Sequence, residues 1–575
     1  MSTITLTIDG QQVEVEQGST ILDAAKKLEI DIPTLCYHPD LSLFGSCRVC
    51  VVENAKTGDL LASCVAPVAD GMEIKSHSTK VRRARRTNVE LLLANHPNEC
   101  LTCERSGTCE LQGLTEKLGI NEIRFEGEQT KHPIDEFGPS IKRDPNKCIL
   151  CGRCVRTCEE IQGVSALDFT QRGFDSVVTT AFDLPQAEIN CANCGQCVTV
   201  CPVGALTEVS EVDKVWQALE DENQHVVVQT APSIQATMGE PFGMEPGTVV
   251  TGKLATALNQ LGFDRVFSTD FAADLTIMEE GSELLARLED KESNTPQITS
   301  CCPGWVKFCE HNYPELLDNL STAKSPMSMF SPLAKTYYAE TKDLEAEDIY
   351  TVSIMPCTAK KFEKERGELQ DSGTQDTDAV LTTRELARMI KEAGIKFAEL
   401  EDTEYDRMMG EATGAGTIFG TTGGVMEAAL RTVYEKLTDE ELPRLDLDEV
   451  RGLKGVKETA VEIGNDTVKV AVAHGLGNAA DLLDQVKAGE ANYDFIEVMA
   501  CPAGCVGGGG QPYPASKEIK AKRGQGLYNI DQSDKIRKSH ENPEIKKLYE
   551  DFLGAPLSEK AHHLLHTNYQ KRDKN

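Results

Sequence analysis

The cysteines of this chain are concentrated in short segments with regular spacing. The segments CILCGRCVRTC and CANCGQCVTVC both follow the pattern C-x2-C-x2-C-x3-C. In iron–sulfur proteins with this pattern, three cysteines of one segment and the last cysteine of the other hold each [4Fe–4S] cluster. The sequence therefore predicts two such clusters, one on Cys148, Cys151, Cys154 and Cys201 and the other on Cys191, Cys194, Cys197 and Cys158.

A separate group of cysteines lies near the N-terminus, at Cys36, Cys47, Cys50 and Cys64. The segment before them reads as a strand, a tight turn, a second strand and a helix from about Thr20, which is the order of a small β-grasp domain. Four thiolates give each iron of a [2Fe–2S] cluster two protein ligands, so this cluster is the predicted occupant. A structural zinc ion is the alternative.

The segment HPNECLTCERSGTC offers one imidazole and three thiols, on His96, Cys100, Cys103 and Cys109. The preceding segment KVRRARRTNVELLLAN is a predicted helix that ends at the histidine. This ligand set suits either a [4Fe–4S] cluster, whose potential a neutral imidazole should raise, or a structural zinc site. The same helix carries basic residues that form either a solvated face or a docking patch for an acidic electron carrier, namely Lys80, Arg82, Arg83, Arg85 and Arg86.

The overall composition restricts the classes of protein to which the chain can belong. Its 575 residues suggest about four domains, and a hydrophobic content of 40% is enough for several cores. A net charge of −33 disfavours nucleic acid and anionic membrane surfaces as partners. No apolar segment approaches the ~20 residues that span a membrane, and the first residues lack a signal-peptide pattern. We therefore expect a cytoplasmic location, where the grouping of the 21 cysteines indicates metal sites rather than disulfides.

Six further cysteines lie in the segments TSCCPGWVKFCE, MPCTAKKFEKE and MACPAGCVGGGGQP. Cys501 and Cys505 are four residues apart, which on a helix is about one turn, so one face can present both sulfurs. The glycines that follow allow the backbone to approach an inorganic group without Cβ clashes. The residues alone predict one-electron redox chemistry at a glycine-lined thiolate site, and they do not identify a substrate.

These three segments, together with APSIQATMGE, DLTIMEEGSELL, STAKSP and FGTTGGVMEAALR, resemble the signatures of [FeFe] hydrogenases. The resemblance covers essentially the whole chain. The first 125 residues resemble the large iron–sulfur subunit of respiratory complex I, and the C-terminal segment resembles the hydrogenase small subunit, here fused to the chain. The resemblance implies the reversible reaction 2H⁺ + 2e⁻ ⇌ H2, with electrons exchanged with ferredoxin or a similar one-electron carrier.

The resemblance also implies a cofactor, the H-cluster, in which four cysteines hold a [4Fe–4S] cubane. One of them bridges the cubane to a two-iron subcluster that carries CO, cyanide and an azadithiolate and is supplied by maturation proteins. The matching positions are Cys302, Cys357, Cys501 and Cys505, with Cys505 as the bridge. The positions that match the rest of the pocket are Lys360, Pro232 and Ser233 near the cyanides, Phe419, Met355 and Met499 in the apolar wall, and Ser325 near the cubane.

The proton route implied by the resemblance is Cys301, Glu280, Ser321 and Glu283. An unperturbed thiol has a pKa near ~8.5, so Cys301 could exchange protons close to neutral pH. The two glutamates are three residues apart and share one face if the segment is helical. Without the resemblance, a solvated pair of helix carboxylates is the alternative.

Three positions depart from the pattern of the family. Met327 stands where many relatives have glutamine, so a hydrogen-bond donor to the two-iron subcluster is expected to be missing. Ala359 and Ala503 replace a frequent serine and a common glycine, which should leave assembly intact. Cys309 has no ligand role and is expected to be a small buried side chain.

The predicted fold class is multidomain α+β and α/β, because strands such as HVVVQTAP, DIYTVSIMP and VKVAVAHG alternate with helical segments. The predicted domains are a β-grasp [2Fe–2S] domain (1–78), a helical [4Fe–4S] module with one histidine and three cysteines (79–125), a two-[4Fe–4S] ferredoxin domain (138–209), an α/β catalytic H-cluster domain (210–512) and a helical tail (513–575).

Two other functions stay open at the level of sequence. The chain could be the catalytic subunit of an electron-bifurcating complex that uses NADH through partner chains, although it contains no G-x-G-x-x-G nucleotide motif after a strand. It could also be a non-catalytic relative that senses redox state or assists iron–sulfur assembly. Because the relay residues and Lys360 are all present, the catalytic interpretation is favoured.

Overall fold

The computed structural model describes residues 2–136, 138–290, 296–464 and 466–573. Within it the chain divides into two compact units. The first unit contains the described residues up to Glu160 together with Ser165–Ile189 and Val200–Thr207. The second unit contains Ile161–Val164, Asn190–Thr199 and the described residues from Glu208 onward.

The first unit begins with a five-stranded sheet in the order β2-β1-β5-β3-β4. Asp9 and Gly10, with φ of 48° and 83°, form the tight turn of the first hairpin. Thr20 caps the first helix in a capping box with Asp23, so the predicted strand, turn, strand and helix are all present. The strands of this unit are β1 (Thr3–Ile8), β2 (Gln11–Glu16), β3 (Val51–Asn54), β4 (Leu60–Ala62), β5 (Glu73–Lys75), β6 (Ile141–Arg143), β7 (Asp168–Thr170), β8 (Val177–Thr179) and β9 (Leu206–Glu208).

The helices of the first unit carry or flank its cysteines. They are α1 (Ile21–Lys27), α2 (Thr79–Ala94), α3 (Glu110–Lys117) and α4 (Arg153–Arg156). The hydroxyl of Ser78 accepts from the Val81 amide and starts α2, which ends two residues before His96 as predicted. Strands β6 and β9 pair with each other, and so do β7 and β8.

The second unit is built on two four-stranded sheets, in the orders β11-β10-β13-β14 and β12-β17-β16-β15. The first sheet is entirely parallel, and in the second only β15 and β16 pair in antiparallel fashion. The three predicted strands HVVVQT, IYTVSIM and DTVKVAVAH are present. The strands are β10 (His225–Thr230), β11 (Arg265–Ser268), β12 (Gln297–Ile298), β13 (Ile349–Met355), β14 (Ala379–Thr382), β15 (Val456–Ile463), β16 (Asp466–His474) and β17 (Phe495–Met499).

Helices cover these sheets, and the helix after β11 is buried along most of its length. This helix runs through 21 residues and buries even its glutamates at positions 279 and 280, as expected of a helix that packs on all sides. The helices are α5 (Gln196–Val200), α6 (Val212–Glu220), α7 (Thr251–Leu261), α8 (Thr269–Glu289), α9 (Pro303–Asn312), α10 (Pro326–Leu333), α11 (Ala339–Lys342), α12 (Ala359–Glu363), α13 (Thr383–Glu392), α14 (Gly414–Ile418), α15 (Gly424–Thr438), α16 (Leu476–Ala488), α17 (Lys517–Ser533), α18 (Pro543–Leu548) and α19 (Glu559–Leu565).

The C-terminal tail is an integral part of the second unit. Ile545, Leu548 and Leu565 are buried in one cluster with Phe271 of α8 and Phe330 of α10. Asp531 of α17 forms a fully buried ion pair with Arg431 of α15, at 2.8 Å. The predicted helical tail is therefore present and packs against the helices around α8. None of the described helices is both long and apolar enough to cross a membrane.

Candidate functional site

Four cysteines of the second unit surround one cavity of about 720 Å³, namely Cys302, Cys357, Cys501 and Cys505. Cys302 directly precedes α9, while Cys357 follows β13 and the remaining pair follows β17. The ends of two sheets therefore bring together residues that are far apart in sequence. Four thiols that line one cavity fit an iron–sulfur group, because thiolates are its usual ligands.

The segment from Cys501 to Cys505 is a tight turn, so the predicted helical turn is wrong here. Ala503 and Gly504 have φ of 75° and 81°, and the Gly504 amide donates to the Cys501 carbonyl at 3.0 Å. A Cβ on Gly504 would lie 2.6 Å from the backbone nitrogen of Thr422. Glycine is therefore required at this point, and the turn still directs both sulfurs to the cavity.

The cysteine segment 191–197 lies beside this loop within the second unit. The Cys501 sulfur is 4.0 Å from the backbone carbonyl of Cys194, and the Thr358 hydroxyl donates to the Asn193 carbonyl at 2.7 Å. The predicted ligands of the second ferredoxin-type segment are thus brought next to the four-cysteine cavity. The fourth predicted ligand of this group, Cys158, belongs to the first unit, and its assignment stays a prediction.

Lys360 is the buried cation of the cavity wall. Its ammonium donates to Ser325 Oγ at 2.6 Å and to the Cys301 carbonyl at 3.4 Å, and it pairs with Glu363 at 2.6 Å. Burial lowers the pKa of Lys360, but the charge of Glu363 outweighs this effect and raises the pKa above its usual value. The lysine therefore stays charged beside the cavity and suits an anionic ligand.

The other predicted pocket residues divide into two groups. Pro232, Phe419, Met355 and Met499 line the cavity, as does Met327. Ser233 is buried and accepts a hydrogen bond from the Gln511 side chain at 3.1 Å, and Ser325 contacts Lys360 rather than the cavity. A methionine side chain at position 327 donates no hydrogen bond, as the sequence indicated.

Cys301 lines the cavity, and the charge of the nearby Glu280 acts on its thiol. Burial, followed by the charge of Glu280, raises the pKa of Cys301 well above its ordinary value, so the thiol is protonated at neutral pH. Glu280 is 1% exposed, and neither carboxyl oxygen has a hydrogen-bond partner of normal geometry among the described residues. Burial, followed by the charge of Glu283, raises the pKa of Glu280 to about 8. The alternative of a solvated helix pair is therefore wrong.

Glu283 lies on the same face of α8, one turn further on. The Ser321 hydroxyl donates to Glu283 at 2.6 Å, and the Thr322 hydroxyl donates to its other oxygen. Burial raises the pKa of Glu283, but hydrogen bonds from His566, Ser321 and Thr322 outweigh it and lower the pKa. The structure thus brings Cys301, Glu280, Ser321 and Glu283 into one buried polar group.

Sequence reasoning missed three residues that surround this group. His566 of the tail pairs with Glu283 at 3.4 Å and with Glu279 at 3.0 Å. The Tyr549 hydroxyl also donates to Glu279. The only signal in the sequence is the pair of glutamates four residues apart on α8, and it does not identify a partner that lies 287 residues away.

Cys309 is fully buried in α9 and does not line the cavity, as predicted. Its sulfur lies 3.5 Å from the Tyr313 carbonyl. Burial raises the pKa of the Cys309 thiol, which therefore stays neutral. This cysteine packs as a small apolar side chain.

Comparison with known families assigns most of the chain. Residues 224–509 match the model described as "Iron only hydrogenase large subunit, C-terminal domain", and residues 517–572 match "Iron hydrogenase small subunit". The N-terminal matches are "2Fe-2S iron-sulfur cluster binding domain" (1–79), "NADH-ubiquinone oxidoreductase-G iron-sulfur binding region" (85–124) and "NADH-quinone oxidoreductase subunit 3, ferredoxin-like domain" (138–207).

Whole-length relatives decide the family. The chain is 52% identical to the NADP-reducing hydrogenase subunit HndD of Solidesulfovibrio fructosivorans, over 100% of both chains. It is 43% identical to iron hydrogenase 1 of Clostridium pasteurianum, over 99% of this chain and 100% of that one. This chain belongs to the iron-only hydrogenase family. It is an enzyme of H2 chemistry that binds iron–sulfur clusters and the H-cluster.

A solved structure supports the same conclusion. The apo [FeFe]-hydrogenase HydA1 from Chlamydomonas reinhardtii is 46% identical and matches with a TM-score of 0.58. The match covers 63% of this chain and 99% of that chain. The catalytic fold is therefore that of an [FeFe] hydrogenase, and the remaining residues of this chain include its additional iron–sulfur domains.

In the first unit, the cysteines of the first ferredoxin-type group surround a cavity of about 460 Å³. They are Cys148, Cys151, Cys154 and Cys201, the set predicted from spacing. Backbone amides also point at sulfur in this region, because the Leu150 amide lies 3.4 Å from Cys148 Sγ and the Ala166 amide 3.3 Å from Cys158 Sγ. The donor set and the enclosed space fit a cubane cluster.

The four N-terminal cysteines are all buried and lie close together. The sulfurs of Cys50 and Cys64 are 3.3 Å apart, and Cys36 interacts with both Cys47 and Cys64. Cysteines at this separation without a disulfide are compatible with a shared metal group. The matched family model is that of a [2Fe–2S] domain, which favours the predicted [2Fe–2S] cluster over zinc.

The mixed histidine and cysteine group also keeps a ligand atom available. Nε2 of His96 is buried and has no hydrogen-bond partner among the described residues, while Nδ1 accepts from the Asn98 amide at 3.3 Å. An unpartnered buried nitrogen is expected of a metal ligand viewed without its metal. Cys100 starts a short 3-10 turn, Cys103 ends it, and Cys109 caps α3.

The basic residues of α2 do not form one continuous surface. Arg85 is buried and donates two hydrogen bonds to the Val51 carbonyl, at 2.8 and 3.1 Å, so its prediction as a surface residue is wrong. Arg86 pairs with Glu90 at 3.1 Å. Lys80 and Arg82 donate to backbone carbonyls nearby. Arg85 therefore belongs neither to a solvated face nor to a docking patch, and for the other basic residues both interpretations stay predictions.

Proposed function

We propose that the chain catalyses 2H⁺ + 2e⁻ ⇌ H2 at an H-cluster held by Cys302, Cys357, Cys501 and Cys505, with Cys505 as the bridging ligand. The observation that carries this proposal is the four-thiol cavity with Cys301 and Lys360 on its wall. When bound, the H-cluster supplies the redox chemistry at which H2 is made or split. Lys360, a charged donor, is placed to hold its anionic ligands.

Cys301, Glu280, Ser321 and Glu283 form the proton route. Cys301 holds a proton at Sγ next to the cavity, because burial keeps the thiol neutral. At neutral pH Glu280 is mostly protonated and Glu283 is ionised, since their pKa values are shifted in opposite directions. Two carboxyl groups in different protonation states are suited to passing a proton between them, with the Ser321 hydroxyl as the link.

The cysteine groups and His96 would hold one [2Fe–2S] and three [4Fe–4S] clusters, which would supply one-electron transfer to the cavity. The contact of Cys194 with Cys501 supports entry from the cluster on segment 191–197. We assign the domains as 1–78, 79–125, 138–209, 210–512 and 513–575, which the matched family segments support. Ferredoxin or a similar one-electron carrier is the external partner, and maturation proteins supply the two-iron subcluster.

The experiment is anaerobic H2 evolution from reduced methyl viologen by protein matured with the two-iron subcluster. Cys301→Ala should lower turnover by at least about 100-fold, since it removes the first proton donor. The matched control is Cys309→Ala, which removes another buried thiol and should keep the wild-type rate. Infrared bands of CO and cyanide must be present in all three proteins.

Two outcomes would contradict the proposal. Wild-type turnover in Cys301→Ala would contradict the proton route but not the proposed reaction. If the wild-type protein has intact infrared bands but no turnover, the catalytic assignment is contradicted and the function of a redox-sensing relative is favoured.

A second candidate is the catalytic subunit of a complex that exchanges electrons with a nicotinamide nucleotide through partner chains. The observation that favours it is the full-length similarity to a protein named as a subunit of an NADP-reducing hydrogenase. An assay of H2 evolution by the isolated chain distinguishes the two candidate functions. Full-rate H2 evolution from reduced ferredoxin alone contradicts an obligatory complex, whereas a rate that appears only with partner chains supports it.

A further inference from the structure

The C-terminal tail places a histidine at the outer end of the proposed proton route. The backbone of residues 565–567 pairs with residues 322–324, through hydrogen bonds from Lys324 to Leu565 and from Thr567 to Thr322, both of 2.8 Å. This pairing directs the buried His566 ring toward α8. The tail therefore contributes a titratable side chain next to Glu283, whereas Cys301, Glu280, Ser321 and Glu283 all come from the family's large-subunit domain.

His566 is held between two carboxylates on successive turns of α8. Its Nε2 lies 3.0 Å from Glu279, whose other contacts are the Tyr549 hydroxyl and the Leu557 amide. Its Nδ1 lies 2.7 Å from the Thr322 hydroxyl oxygen and 3.4 Å from Glu283. Both ring nitrogens thus face acceptors, which is the arrangement that a doubly protonated imidazolium requires.

The charges around the ring favour the imidazolium. Burial lowers the pKa of His566, but the hydrogen bonds and charges of Glu279 and Glu283 outweigh it and raise the pKa to about 9. The ring of the exposed His562 contacts the His566 ring at an interplanar angle of 43°, with centroids 4.4 Å apart. The ammonium of Lys324 pairs with Asp371 rather than with His566. His566 is therefore an imidazolium at neutral pH. Two other groups on α8 also interact with the charge of Glu283, namely the Arg287 guanidinium and the Glu280 carboxyl group.

We propose that His566 is a positioning residue of the proton route, and that its charge keeps Glu283 ionised and fixed against Ser321. Glu283 can then accept a proton that arrives from Glu280, because it starts without one. Docking of the tail and proton exchange at the catalytic cavity are coupled through this ring. The inference rests on the proposed proton route, and it adds a requirement for the tail.

The test compares the pH dependence of H2 oxidation in wild type and His566→Asn. Asparagine keeps a donor near Thr322 but has no charge, so the pKa of Glu283 should rise. The acidic limb of the pH profile should then move upward by about one pH unit or more, as is typical when a close opposite charge is lost. His563→Asn, an exposed neighbour on α19, is the matched control and should keep the wild-type profile.

A second readout does not depend on turnover. The C=O stretch of protonated Glu283, identified by its loss in Glu283→Gln, should titrate at a pH about one unit higher in His566→Asn than in wild type. If His566→Asn releases the tail, as limited proteolysis would detect, Thr322→Val tests the same link with the backbone pairing intact. It should shift the profile in the same direction by a smaller amount.

The outcomes separate this inference from the function on which it rests. A wild-type pH profile in both His566→Asn and Thr322→Val, with the tail docked, would overturn the role of His566. That result leaves the proton route standing as long as Cys301→Ala remains inactive. If Cys301→Ala, His566→Asn and Thr322→Val all keep wild-type activity, the proton route itself is overturned.

Discussion

Glu280 is the residue whose environment departs most from that of an ordinary glutamate in the proposed route. Its carboxyl group is buried beside Cys301 and repelled by Glu283, so the pKa rises to about 8. A carboxyl group with such a pKa can both take and return a proton near neutral pH. Glu283, one helical turn away, is in the opposite protonation state and is the second carboxyl group of the pair.

We predict that Glu280→Gln lowers H2 turnover by at least about 100-fold while the infrared bands of CO and cyanide persist. It should also change the pH dependence of stability. Since the folded pKa of about 8 exceeds the unfolded value, the folded state binds more protons, and Glu280 lowers stability as pH rises from 4.5 toward 8. The thermal unfolding temperature should therefore fall less steeply from pH 5 to 8 in Glu280→Gln. An unchanged slope would contradict the raised pKa.

The sequence predicted side chains of the site better than it predicted their partners. The cysteines of the cavity stand in distinctive short segments, and the positions of Glu280 and Glu283 follow from helical spacing. His566 could not be predicted, because its contact with α8 depends on the path of the tail and not on any local pattern. Burial of Arg85 was missed for a similar reason, since it depends on contact with β3.

At the level of elements, the cavity depends on the close approach of two loops, which meet at glycine residues without side chains. A Cβ on Gly508 would lie 2.1 Å from the Pro356 carbonyl oxygen, directly before Cys357, and 3.0 Å from the Cys505 carbonyl. The loops that carry two proposed ligands can therefore be this close only with glycine. The predicted helix at 501–505 was wrong because Ala503 and Gly504 take left-handed conformations, which the spacing of the cysteines does not reveal.

We predict that Gly508→Ala prevents stable binding of the cubane, because the two loops must separate. Iron analysis and electron paramagnetic resonance before addition of the two-iron subcluster should show a loss of about four irons per chain. Gly367→Ala is the matched control, since a Cβ at this glycine would meet no described atom within 4 Å and its φ is ordinary. Equal iron content in both variants would contradict the close packing.

The helical tail is held by buried ion pairs as well as apolar contacts. Asp531 contacts Arg431 at 2.8 and 2.9 Å and Arg537 at 2.6 and 3.1 Å, and neither Asp531 nor Arg431 is exposed. Asp531→Ala leaves a buried arginine with fewer partners and should cost about 3–5 kcal/mol. Glu449→Ala, which breaks an exposed pair with Arg444, should change little. Thermal unfolding and proteolysis of the tail measure the effect of each variant. Equal effects of Asp531→Ala and Glu449→Ala would contradict the anchoring role of Asp531.

At the level of the whole molecule, the order of cysteine groups along the chain predicted the order of the iron–sulfur domains, because each group has a distinct spacing. The tertiary arrangement within each unit could not be predicted in the same way. The contact between Cys194 and Cys501 joins segments that are 307 residues apart. It makes the 191–197 segment the proposed last step of the electron path.

We predict that Cys197→Ala separates electron supply from H2 chemistry. Loss of this cluster should lower H2 evolution from reduced ferredoxin by more than about tenfold, because electrons no longer reach the cavity efficiently. The infrared bands of CO and cyanide should remain. A ferredoxin-driven rate equal to that of wild type would contradict the proposed path.

The most direct test of the central claim is isotope exchange in matured protein without any electron carrier. Wild type and Cys197→Ala are supplied with H2 in D2O, and the formation of HD is followed by mass spectrometry. The account predicts HD in both proteins and almost none in Cys301→Ala, since exchange needs the cavity and its proton route but no external electrons. Absence of HD from wild-type protein that carries CO and cyanide bands would contradict it.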